Sequence, residues 1–179
     1  MRIALDVMGG DHIPAIPIKG AIEAIEGLES DFDLILVGNK ALIKRHLEKY
    51  RRFDPSRIEI VHAPEVVEMG ESPWVALRKK KQSSIAVGID LLVKEKAEAF
   101  ISAGNTGAVM ATSLRGLGRI GGISRPGICS VFPTSKKSCV VLDIGQMLIQ
   151  SLYTFSISHS WDRSIRRKFS AGRTRGWPC

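Results

Sequence analysis

Cysteine is scarce in this chain, and the little there is rules out two classes of protein. Cys129, Cys139 and Cys179 are odd in number and lack the paired spacing of a metal ribbon. A disulfide scaffold and a structural zinc site are therefore not expected, and reduced thiols in a cytoplasm are the default. Aromatic residues make up only 6% of the sequence. No apolar run is long enough to span a bilayer, and Asp6 and Asp11 interrupt the only early hydrophobic segment, so neither a membrane span nor a secretory leader is expected.

What is present suits one compact domain or a fragment of a larger one. The chain has 179 residues, 44% of them hydrophobic, which is enough for a core. Its formal charge of +8 hints at nucleic acid, but the excess is uneven. Residues 1–145 hold 20 Lys and Arg against 17 Asp and Glu, whereas residues 146–179 hold 6 against 1. The main body is only mildly basic, and no nucleic-acid partner is expected for it.

Hydrophobic spacing alternates between two periods. Apolar runs at 2–6, 32–38, 57–63 and 97–101 read as strands. Between them, 16–29 places Ile18, Ala21, Ile22, Ile25 and Leu28 at helical spacing, and 39–50 reads as a helix with Asn39 as N-cap. Helices are expected over 73–81, with Pro73 in the first turn, and over 83–96 and 107–118. Two further strands are expected at 127–133 and 137–145. Strands that are apolar on both faces and alternate with helices predict a doubly wound α/β fold, a mostly parallel sheet covered on both sides.

In such sheets ligands bind beyond the carboxyl ends of the strands, and two segments there carry chemistry. In "DVMGGDH" (6–12), Gly9 and Gly10 remove the side chains that would keep a ligand from the backbone, while Asp6 and Asp11 offer carboxylates for hydrogen bonding or proton transfer. Equally, this is a tight turn with Asp11 capping the next helix, and His12 reads as a loop or capping residue. In "FISAGNTGAVMA" (100–111), a strand delivers Ser102, Gly104, Asn105, Thr106 and Gly107 straight into a helix. Free N–H groups at a helix start, reachable past glycine and supplemented by Ser, Asn and Thr, suit a phosphate. A structural N-cap at Asn105 or Thr106 is the plainer alternative. The segment matches neither a P-loop nor GxGxxG. Arg78 to Lys81 form a run of four cations, read as a solvated face or as a source of one contact to phosphate or to an acidic carrier protein. Arg125 is similarly ambiguous, and Met8 and Met110 read as packing residues.

"MRIALDVMGGDH", "WVALRKKKQSS", "FISAGNTGAVMA", "RPGICSVFPT" and "VVLDIG" occur in the order found in the bacterial acyl-ACP:phosphate acyltransferases, the PlsX family, and residues 1–145 resemble that family nearly continuously. The resemblance implies a Rossmann-like three-layer α/β/α fold like that of phosphotransacetylases and isopropylmalate dehydrogenases. It implies reversible formation of acyl phosphate from a fatty acyl group on acyl carrier protein and inorganic phosphate, in phospholipid synthesis. No cofactor or metal is required. A cytoplasmic homodimer is implied, with peripheral membrane contact and hand-over to an acylphosphate:glycerol-3-phosphate acyltransferase. Asp11 and Asn105 are then the candidates for polar roles at the reacting centre. Gly9, Gly10, Ser102, Gly104, Thr106, Gly107, Arg78 and Lys81 are the candidates for phosphate or substrate binding. A phosphotransacetylase-like use of acyl-CoA is the alternative within enzymes.

After Gly145 the resemblance stops. The family continues with a segment like "GANVDSKP", and permitted codons for Gln146 onward regenerate "ANVDSKP", then "ALMGSIY", when read with one extra base. Residues 146–179 are therefore expected to be an out-of-frame, disordered tail on a truncated chain of poor stability and little or no activity. A natural basic extension that binds RNA or anionic lipid, on a non-catalytic protein, is the contrary reading.

Overall fold

The computed structural model describes residues 1–28, 31–50, 53–119, 126–133 and 138–142. It divides into two units, Met1–Gly118 and Arg119–Cys179.

The first unit is the doubly wound sheet. Strands β1 (Arg2–Asp6), β2 (Asp33–Gly38), β3 (Ile58–His62) and β4 (Ala99–Ile101) are all parallel, in the spatial order β3-β2-β1-β4. Helices α1 (Ala15–Gly27) and α2 (Lys40–Leu47) connect the first three strands, while α3 (Pro73–Lys79) and α4 (Ser84–Val93) lead to β4 and α5 (Thr106–Gly116) follows it. Alternate residues of β2 explain the layering. Leu34 and Leu36 pack with Ile18, Ile22 and Ile25 of α1 and Ile43 of α2. Ile35 and Val37 pack on the other face with Ala4, Leu91 of α4 and Phe100 of β4. Burial of each such Leu or Ile contributes about 1.5–3 kcal/mol, so a strand with no solvent face is stable only between two helical layers. The expected three-layer α/β/α fold is what forms.

Local chemistry sets the element ends. Asn39 caps α2 by accepting from the N–H groups of Ala41 and Leu42, as its sequence position suggested. Helix α4 starts at a Ser83 cap and stops at Val93, short of the expected residue 96. The cause is Glu95, whose φ of 55° is left-handed and lets Lys96 N–H close back on the Leu91 carbonyl at 2.9 Å. Gly88 lets α4 lie against β4, because a Cβ there would sit 2.1 Å from Cε2 of Phe100.

In the second unit, β5 (Cys129–Pro133) and β6 (Ser138–Leu142) pair with each other in antiparallel register, Val131 opposite Val140. Both segments are strands, as their sequence predicts, and the length of their connection sets the antiparallel pairing: four residues, 134–137, are far too few for the crossover that parallel neighbours need. Arg125 and the tail 146–179 lie outside the described residues.

Candidate functional site

The strand order reverses between β1 and β4. The chain runs outward from β1 through β2 to β3, then returns to add β4 on the other side of β1. In doubly wound sheets, ligands bind at such a reversal, beyond the carboxyl ends of the strands that flank it. The two glycine-bearing segments leave the sheet at those two ends, which is why they meet although nearly a hundred residues apart in sequence.

Asp6 ends β1 and is buried, with 1% of its surface exposed. Its Oδ1 accepts from Met8 N–H at 2.9 Å and its Oδ2 accepts from the Ser102 hydroxyl at 2.7 Å. Ser102 in turn accepts from Gly104 N–H at 3.0 Å. Glycine is required where the two turns touch. A Cβ on Gly9 would sit 2.6 Å from the backbone nitrogen of Gly104 and 2.9 Å from Asp6 Oδ2, a collision with backbone that cannot move aside. Gly10 has a φ of +98°, a left-handed value that other residues rarely take.

Asn105 occupies the N-cap of α5, as one reading of the sequence had it. Its side-chain oxygen accepts from Ala108 N–H at 3.0 Å. Its amide group donates to the carbonyls of Glu68, Met69 and Glu71 at 3.2, 3.1 and 2.9 Å. The buried side chain is thus fully engaged by protein, and it ties the turn to the loop before α3. Lys80 holds the same loop from the other side, through the Val66 carbonyl and the Glu71 carboxylate, both at 2.6 Å. The Lys80 ammonium, together with Glu68 N–H, holds the Glu71 carboxyl below its ordinary range.

The N–H groups of Thr106 and Gly107 form no hydrogen bond with the described residues. They stand in the first turn of an eleven-residue helix, where the partial positive charge of the backbone is concentrated. Thr106 is exposed. Gly107 has a second reason to be glycine: a Cβ there would lie 2.5 Å from Pro73 Cγ, so it also lets α5 approach α3.

The structure therefore brings together Gly9, Gly10, Ser102, Gly104, Asn105, Thr106 and Gly107. Asp11 is exposed, and its side chain makes no hydrogen bond or ion pair with the described residues. Neither Arg78 nor Lys81 forms a hydrogen bond or ion pair with the residues of the turn. Arg78 is in the last turn of α3, whose first residue touches Gly107. Lys81 lines a groove of about 360 Å³ with Leu77, Ile89, Thr112 and Arg115. Thr112 and Arg115 lie in the second half of α5, about 10 Å along the helix from its capped end. The sequence offers carboxylates at both Asp6 and Asp11, with Asp11 the candidate for the reacting centre; the structure buries Asp6 in the turn and leaves Asp11 exposed. No local sequence pattern marks the loop 64–72 as a support for the turn. Among the described residues no group of His, Cys, Asp and Glu is clustered closely enough to hold a metal ion.

A glycine-lined turn feeding a capped helix at the switch point of a doubly wound sheet is an arrangement that α/β proteins use to receive an anionic group. Residues 1–173 match the family described as fatty acid synthesis protein, and the chain belongs to that family. It is 50% identical over 145 residues to the phosphate acyltransferase of Halothermothrix orenii, covering 81% of this chain and 43% of that protein. It is 49% identical over 146 residues to the phosphate acyltransferase of Dictyoglomus turgidum, again covering 81% and 43%. These names make the family one of acyltransferases. The chain spans less than half the length of the curated relatives it matches. Among solved structures it is similar to the EutD phosphotransacetylase from Staphylococcus aureus, with a TM-score of 0.63, 18% identity, and 94% of this chain and 53% of that one covered. At that identity the likeness is one of fold.

Proposed function

We propose that the junction at the carboxyl ends of β1 and β4 is the phosphate seat of a phosphate acyltransferase, which forms acyl phosphate from a fatty acyl group and inorganic phosphate. The observation that carries this reading is the pair of unbonded N–H groups on Thr106 and Gly107, at the start of a helix to which the Gly9–Gly10 turn allows close approach. The names of the relatives supply the chemistry: a phosphate oxygen attacks an acyl carbonyl, and the C–S bond of the thioester donor breaks. An anion held at a helix start is placed and oriented for that attack without a side-chain nucleophile. Asn105 serves the seat by fixing the turn, since its own polar atoms are all engaged.

Acyl carrier protein is the proposed acyl donor, with the acyl phosphate passing on to phospholipid synthesis in a cytoplasmic homodimer of the family's full length. Arg78, Lys79 and Lys81 are exposed and make no ion pair among the described residues, which suits them to an acidic carrier rather than to the seat. The residues present here are expected to hold phosphate. No helix among the described residues is long and apolar enough to cross a membrane.

Two measurements test the reading. Calorimetric titration with inorganic phosphate should show saturable binding, and its absence would remove the proposal. Single-turnover assays with acyl-ACP and acyl-CoA at equal concentration, following labelled inorganic phosphate into acyl phosphate, then identify the donor. Signal from acyl-CoA alone would favour the phosphotransacetylase-like alternative.

A further inference from the structure

We propose that Asp6, acting through Ser102, makes this seat selective for an anion that carries a proton, so that it takes hydrogen phosphate and turns away sulfate. The inference rests on the phosphate reading above and goes one step beyond it, to how the seat tells one oxyanion from another.

The starting point is a charge in an awkward place. Asp6 is 1% exposed and has no ion pair among the described residues. A buried carboxylate without a cation is costly. Placed beside a helix start that receives an anion, it also repels the ligand. Its Oδ2 would lie only 3.4 Å from a Cβ on Gly104, within the turn itself. A seat for a fully ionised oxyanion has no use for such a group.

The hydrogen bonds show what it does. A serine hydroxyl has one proton to donate and two lone pairs to accept with. The proton of Ser102 goes to Asp6 Oδ2, and one lone pair takes the N–H of Gly104. One lone pair remains. Asp6 therefore fixes Ser102 as an acceptor toward anything in the turn. An oxygen that bears no proton meets only repulsion there, whereas a P–OH group donates to it. The N–H groups of Thr106 and Gly107 are left for the ionised oxygens. Near neutral pH inorganic phosphate retains at least one proton and sulfate none. Ser102 is the contact in this account, and Asp6 is a positioning residue.

The test is calorimetric titration of the full chain at neutral pH with inorganic phosphate and, separately, with sodium sulfate. The unaltered chain should bind phosphate about tenfold or more tightly than sulfate, the size of one charge-assisted hydrogen bond. In Asp6→Asn the amide N–H donates to Ser102 Oγ, which frees the hydroxyl proton to point at the ligand. Sulfate binding should then strengthen and the preference disappear. Ser102→Ala should weaken phosphate about tenfold and leave sulfate no weaker, since the acceptor that repels it is gone. If Asp6→Asn does not fold, judged by its thermal melt, Ser102→Ala decides alone. Equal affinity of the unaltered chain for the two anions overturns the inference while leaving the phosphate seat in place. So does an equal weakening of both anions in the variants, which is the signature of a purely structural link. Failure of the chain to bind either anion removes the phosphate reading and this inference with it.

Discussion

The Ser102 hydroxyl donates to the Asp6 carboxylate across 2.7 Å, though 96 positions separate the two residues in sequence. That bond joins the ends of β1 and β4 at the point where the sheet reverses direction, and the glycine contacts around it make the junction tight. The first prediction concerns that tightness. Gly9→Ala would drive a methyl group into the backbone of Gly104, which lies 2.6 Å from the built Cβ. We expect a loss of about 1–3 kcal/mol in denaturant unfolding, with phosphate affinity reduced. An unchanged midpoint would show that the two turns are not in contact.

Asn105 carries two loads, the cap of α5 and the tie to the loop at Glu68–Glu71. Asn105→Ala removes both and should cost about 2 kcal/mol, half from the cap and half from the donor. Asn105→Asp keeps a capping oxygen yet sets a carboxylate against three carbonyls. It should be at least as destabilising as alanine, although Asp is as good a helix cap as Asn. Limited proteolysis should find the loop 66–72 cut faster in both variants. A stable Asn105→Asp variant would contradict the tie.

The Glu71 carboxyl lies below its ordinary value of 4.5, held there first by the hydrogen bond from Lys80 and then by Glu68 N–H. Folding thus favours its ionised form. The stabilising contribution is complete above about 4.5 and is lost as pH falls through the lower folded-state value. Asp54, lowered chiefly by the Ser56 hydroxyl, adds a slope of the same sign, so the comparison with Glu71→Gln is needed. Acid unfolding curves should be steeper for the unaltered chain than for that variant. Parallel curves would show that the Lys80 contact contributes nothing.

The contact between Gly88 and Phe100 is also testable. Gly88→Ala places a methyl group 2.1 Å from the ring and should destabilise by about 1–3 kcal/mol. Phe100→Leu, itself destabilising, should recover part of that loss when combined with it. A double-mutant cycle with no coupling would mean that α4 and β4 do not pack as described.

Much of this architecture was legible because it depends on short-range pattern. Leu34 to Val37 are apolar in succession, and only a strand covered on both faces accommodates that. Asn39 stands directly ahead of a periodic helix, so its cap could be read directly, whereas the cap of the helix after residue 104 stayed open between Asn105 and Thr106. The glycine pairs at 9–10 and 104–107 marked the site because a sheet of this class gathers its strand ends on one edge. What escaped depends on distances that sequence does not encode. Nothing local says that Lys80, of four consecutive cations, turns inward to Glu71, or that Lys81 lines a groove with Thr112 and Arg115. Asn105 read as a group for the reacting centre, yet carbonyls more than thirty residues away occupy its amide. The pairing of Cys129–Pro133 with Ser138–Leu142 is set by the length of a connection, which overrides the parallel pattern of the strands before it.

The central claim, that the first turn of α5 receives phosphate, is tested most directly by following backbone amides in a nitrogen–proton NMR titration with inorganic phosphate. The account predicts saturable shifts centred on Thr106 and Gly107, with Gly104 and Met8 responding through the Ser102–Asp6 link. Shifts confined to Lys81 and Arg115, or none at all, would contradict it.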